Sequence, residues 1–126
     1  MDRRLLSLVL PFVALISPAP AVASNWANIG KNTFGSTYDV DWDSIRRDGN
    51  MVTFTIRTQY GPGSEPSEED GYVAIRQANC ADRTYADLHT DYMKNGQVLN
   101  STGAEGSHNA SAGSIAALVL DKVCAK

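Results

Sequence analysis

Apolar and polar residues alternate without a break from Met51 to Tyr60. Val52, Phe54, Ile56, Thr58 and Tyr60 share one side of the run, and Thr53, Thr55, Arg57 and Gln59 share the other. Successive strand side chains point to opposite faces, so the pattern predicts an antiparallel strand with one buried and one solvated face. Arg47-Asp48-Gly49-Asn50 ahead of it is a tight-turn signal, and Tyr38 to Ile45 is expected to supply the preceding partner strand. Tyr72 to Asn79 and Thr84 to Met93 read as two further strands. Lys94-Asn95-Gly96-Gln97 is a hairpin signal leading into Val98 to Ser101, and Trp26 to Gly30 adds an edge strand.

The period changes at Ser114. Ile115, Leu118, Val119, Leu120, Val123 and Cys124 form a broad apolar stripe at helical spacing. Ser111 or Ser114 is placed to cap this helix, and Lys122 and Lys126 suit the negative end of its dipole. A helix this short is marginal alone in water, so its stripe is expected to lie on the sheet. The fold class is therefore α+β, an antiparallel sheet with one C-terminal helix.

Cysteine usage sharpens that picture. Cys80 ends a predicted strand, Cys124 ends the predicted helix, and the chain has no other cysteine. The N-terminus sets the compartment. Arg3 and Arg4 precede an apolar run from Leu5 to Ile16, and Ala21-Val22-Ala23 is a small-x-small cleavage site. This is the pattern of a secretory signal peptide over residues 1–23, cut between Ala23 and Ser24. The apolar run falls short of the roughly 20 residues that cross a bilayer, and no second stretch is longer, so no membrane span is expected. An even pair of cysteines behind a leader reads as one disulfide, Cys80–Cys124, tying the helix to the sheet.

Without residues 1–23 the chain keeps 103 residues, a length that suits one domain over residues 24–126. Setting Arg3, Arg4 and Asp2 aside from 11 basic and 14 acidic residues leaves nine against thirteen, a net charge of −4. That balance argues against nucleic acid and anionic membranes as partners, since both call for clustered Lys and Arg.

Three constellations carry candidate chemistry. Asp39-Val40-Asp41-Trp42-Asp43 has the alternate spacing of a calcium loop, but such a loop needs glycine at its sixth position and a bidentate glutamate at its twelfth. Ser44 and Asn50 stand there, and Arg46 and Arg47 add repelling charge, so a strand end with solvated carboxylates is expected. Asp87, His89 and Asp91 alternate along a predicted strand and would share a face, close to a zinc ligand set. Ala86, Leu88 and Tyr92 are expected to form the buried face opposite, which makes the Asp-His-Asp side simply the wet one. His108 lies in a loop-like stretch and reads as solvated. With only two histidines and no Gly-x-Ser-x-Gly elbow or glycine-rich phosphate loop, no nucleophile–base pair is assembled.

Trp26, Trp42, Tyr60, Tyr72 and Tyr85 sit at strand-like positions, where cross-strand packing is the expected role and a ligand-facing patch the alternative. Residues 61–71 form an acidic connector rich in Gly, Pro and Glu, without apolar anchors.

Several short segments in order carry a resemblance. They are Trp26-Ala27-Asn28-Ile29-Gly30, Tyr38-Asp39-Val40-Asp41, Ser44-Ile45-Arg46-Arg47, Gly49-Asn50, Asn79-Cys80, Arg83-Thr84-Tyr85, Tyr92, Gly96-Gln97-Val98-Leu99 and Val123-Cys124. Over about residues 25–125 the chain resembles the bacterial surface-adhesin protein E family. The resemblance implies a sheet of about six antiparallel strands with a C-terminal helix bridged onto one face. It further implies binding of host extracellular proteins, as by the best-known member, and no enzyme activity. That member resembles a lipoprotein whose leader ends at a lipidated cysteine, whereas Ala21-Val22-Ala23-Ser24-Asn25 here holds none. The expectation is an exported, non-enzymatic binding domain, periplasmic or secreted, with no cofactor, metal or catalytic residue assigned. Its partner is expected to be a protein of the host extracellular matrix or of the envelope, and periplasmic binding of a small ligand or metal is the alternative.

Overall fold

The computed structural model describes residues 24–126. The expected leader, with Ala23 on its side of the cleavage junction, lies outside the described residues, and Ser24 is the first residue within them. The strands are β1 (Trp26–Lys31), β2 (Thr37–Asp41), β3 (Arg46–Asp48), β4 (Met51–Gln59), β5 (Gly71–Asn79), β6 (Thr84–Lys94), β7 (Gln97–Thr102) and β8 (His108–Asn109), and a helix, α1 (Ile115–Ala125), closes the chain. They form one antiparallel sheet in the order β1-β2-β4-β5-β6-β7, with β3 pairing β4 and β8 pairing β6.

The alternation in β4 decides which face is buried. Val52, Phe54 and Ile56 are at most 1 % exposed, and they meet Ala74 and Ala78 of β5 and Val40 of β2 on the inner face. Helix α1 lies over this end of the sheet and contributes Val119, Leu120 and Val123 to the same core. Ser114 caps it by accepting a hydrogen bond from the Ala117 amide, 3.1 Å away. Gly30 makes room on β1, since a Cβ there would stand 3.2 Å from Leu118 Cδ2 and 3.3 Å from Ile115 Cδ1. The Cys80–Cys124 disulfide fastens the far end of the helix to the end of β5.

Two expectations need correction. Tyr38 to Ile45 is not a single strand. β2 stops at Asp41, whose carboxylate caps a 3-10 turn over Trp42–Ser44, and the chain pairs again only as β3. The second correction is in β6. Ile75 pairs with His89 but Arg76 pairs with Asp87, which leaves Leu88 as an extra residue in a β-bulge. The bulge reverses the parity of the strand. Asp87 therefore joins the inner face with Tyr85, Thr90 and Tyr92, while His89 and Asp91 face outward and Leu88 is 38 % exposed. Ala86, Leu88 and Tyr92 do not form one buried face, and Asp87, His89 and Asp91 do not share the wet one.

Candidate functional site

Helix α1 packs on the inner face toward the disulfide, where Val119, Leu120 and Val123 join Val40, Val52, Phe54 and Ile56. Beyond it the face continues as a trough, with Tyr38 on β2, Thr58 near the end of β4, Tyr60 just past that end, Tyr72 on β5 and Tyr92 on β6. The tyrosines pack edge to face across the strands. Ring centroids are 6.3 Å apart for Tyr60–Tyr72 and 6.4 Å for Tyr72–Tyr92. These rings, with Asp87, Thr90 and Glu105, line a cavity of about 230 Å³.

Its floor holds a buried ion pair. Arg76 donates to Asp87 through Nε at 2.7 Å and Nη2 at 3.2 Å, and its guanidinium lies 4.5 Å above the Tyr85 ring. Burial alone would pull the guanidinium pKa down. The hydrogen bond and charge of Asp87 outweigh that and leave it raised.

The acidic connector forms the rim. It is fastened to the β1–β2 turn rather than left loose. Ser36 Oγ accepts from the Gly61 amide at 2.9 Å and meets Ser64 Oγ at 3.1 Å, and the Gly63 amide donates to the Phe34 carbonyl at 2.9 Å. The Tyr60 hydroxyl donates to Glu69 Oε2 at 3.1 Å. Burial, the hydrogen bond to Glu69 and the Glu69 charge all raise the Tyr60 pKa, so the phenol is neutral in any ordinary buffer. Burial likewise raises Tyr38, with Tyr72 adding to the effect.

The other candidates resolve locally. Asp39 bonds Arg57 and Asn28, and Asp41 accepts from the amides of Asn25 and Asp43, so these carboxylates serve strand pairing and a turn. On the outer face Asp91 Oδ1 receives the Ser101 hydroxyl at 2.6 Å and meets His89 Nε2 at 2.7 Å. Both contacts, Ser101 first, lower the Asp91 pKa. The serine bonds the carboxylate and not the histidine, so nothing here activates it as a nucleophile. Among the described residues no three His, Cys, Asp or Glu side chains converge as metal ligands. His108 stacks on Tyr85, with ring centroids 5.5 Å apart. Trp26 carries Arg57 over its ring on the outer face, and Trp42 lies against Lys126 at the end of the helix. Sequence reasoning missed the Arg76–Asp87 pair and the part Tyr38 and Tyr92 play in the trough. The signal was present in β5, where Arg76 interrupts the inner series Tyr72, Ala74, Ala78 and so calls for a buried acidic partner.

Three solved structures of Haemophilus influenzae protein E share this architecture. Crystal form II superposes with a TM-score of 0.60 at 20 % identity, covering 86 % of this chain and 94 % of that one. The selenomethionine form gives 0.60 at 19 %, covering 87 % and 93 %, and a further form gives 0.58 at 18 %, covering 86 % and 90 %. At these identities the likeness is one of fold. No curated protein matches the sequence. The family profile described as Surface-adhesin protein E matches residues 26–125, from the first residue of β1 to the last of α1. The chain belongs to the surface-adhesin protein E family.

Proposed function

We propose that this domain is an exported, non-enzymatic binding module that holds a protein partner, of the host extracellular matrix or of the envelope, in the tyrosine-lined trough. The trough itself is the observation that carries the reading. Tyrosines concentrate at protein interfaces because a rigid, amphipathic ring offers contact area at small entropic cost. Here several of them line a part of the inner face that the chain's own helix leaves open. Membership of an adhesin family supports the same reading. The alternative role in metal binding loses support, because the bulge at Leu88 separates Asp87 from His89 and Asp91.

Immobilised matrix proteins, vitronectin among them, and envelope extracts offered to the purified domain test it. Saturable binding is expected, weakened at least tenfold by Tyr72→Leu with Tyr92→Leu and unchanged by Thr53→Ala on the outer face. Binding indifferent to the tyrosine changes would move the site elsewhere.

A further inference from the structure

We propose that the cavity between Tyr60, Tyr72 and Tyr92 is an organic-cation site, which takes a lysine or arginine side chain from an extended basic segment of the protein partner. The inference rests on the reading of the trough as a protein-binding face and adds the chemistry of what enters it.

Size comes first. At about 230 Å³ the cavity is several times the roughly 30 Å³ share of one water. It is also smaller than the roughly 300–1,000 Å³ of pockets that enclose whole small molecules. One side-chain head fits that range. Charge comes next. The cavity opens between two further hollows, of about 340 Å³ and about 720 Å³, which share Tyr60 and Tyr92 with it. Across all three the lining contains Glu65, Glu68, Glu69 and Glu105 and, among the described residues, no lysine, arginine or histidine, although His108 lies 3.8 Å from Glu105. Arg76, the cation nearest the floor, is already bound two-pronged by Asp87. An anion entering here would meet hydroxyls, amides and carboxylates but no positive charge among the described lining residues, whereas a cation would find carboxylates at the rim.

The rings supply the selectivity. An aromatic face carries negative quadrupole density and attracts an ammonium or guanidinium within about 6 Å of its centroid. The protein already uses that contact elsewhere, with Arg57 over Trp26 at 4.2 Å and Arg76 over Tyr85 at 4.5 Å. Among the described residues no such cation lies over Tyr60, Tyr72 or Tyr92. The hollows on either side lead away from the cavity, so neighbouring residues of an extended chain can run along them beside Glu68 and Glu65.

The test is calorimetric titration of the full domain with a peptide of alternating lysine and serine, and with the same peptide after lysine acetylation. The lysine peptide is expected to bind and the acetylated one to fail. Tyr92→Leu, which removes the ring and no charge, should weaken binding about 3- to 30-fold, the range of a cation–π contact between exposed and desolvated limits. Tyr92→Phe keeps the ring and should bind within about twofold of the parent on the same ground. Glu105→Gln lies on an exposed loop and should weaken binding without touching the fold. Equal binding of the acetylated peptide, no binding of either, or full binding by Tyr92→Leu would overturn the cation site. A partner protein that needs Tyr72 and Tyr92 but binds equally after its lysines are acetylated and its arginines blocked would leave the trough a protein site and remove only the cation assignment.

Discussion

Arg76 occupies an inner position of β5, flanked by Ala74 and Ala78, and survives there because Asp87 meets it across the bulge. The side chains are only 7 % and 11 % exposed, so removing one partner strands a buried charge. Asp87→Asn should therefore cost about 3–5 kcal/mol in urea denaturation. Replacing both residues by leucine should cost far less, because neither charge is then left alone. Tyr60 makes a different statement about pH. Its pKa in the folded chain is raised above the ordinary value of 10.0. Below that value the phenol is protonated in both states, and the Tyr60–Glu69 hydrogen bond contributes fully. Above about pH 10 the unfolded chain loses its proton first, so stability falls until the folded phenol ionises too. Thermal midpoints followed across that range should fall more gently in Tyr60→Phe than in the parent.

At the scale of elements, the alternation of Met51 to Tyr60 told the burial of β4 correctly because a strand with one covered and one solvated face writes its period directly into the residues. The helix was legible for a similar reason, although Ala117, buried beside Val119 and Leu120, carries too little apolar surface to mark the stripe. The bulge at Leu88 was not legible. No glycine or proline marks it, and a one-residue slip leaves composition unchanged while sending every later side chain to the other face. The trough depends on that slip, since it brings Asp87 and Tyr92 to one side. The turn at Asp41 was hidden too, because a carboxylate that caps a turn looks like any polar strand residue until its amide partner is known. The disulfide closes a separation of 44 residues and should contribute about 4 kcal/mol in the chain-entropy view. Cys124→Ser should release α1 before the sheet, read as early loss of amide protection in the helix while β4 and β5 remain protected. Gly61→Ala places a Cβ 2.1 Å from the Gly35 carbonyl carbon, and should displace the acidic rim with little loss from the sheet core. Partner binding should then fall while the thermal midpoint moves by only a few degrees.

The whole molecule is electrically lopsided along β4. At the disulfide end cations and carboxylates balance: Arg47 donates to the Cys124 carbonyl, Lys126 donates to the Trp42 carbonyl and Lys122 lies in the last turn of α1, while Asp48 ends β3, Asp82 lies in the β5–β6 turn and Asp121 pairs with Arg83. Glu65, Glu68, Glu69 and Glu105 gather around the trough at the other. A basic partner should be steered trough-first, with an association rate that falls as salt shortens the screening length. Where that partner is met depends on display. No helix among the described residues is long and apolar enough to cross a membrane. Residues 21–25 offer no cysteine for a lipid, and a net charge of −4 without residues 1–23 gives no pull toward anionic headgroups. On the proposed reading of an exported binding module, export through the leader predicts release on osmotic shock or recovery from the medium, and protein held in the periplasm should resist protease added to intact cells. Cell fractionation with an antibody to the domain, beside protease treatment of intact and lysed cells, measures this directly. Recovery in the outer-membrane fraction with cleavage on intact cells would instead establish surface display, and a host matrix protein would then rank above an envelope protein as the occupant of the trough.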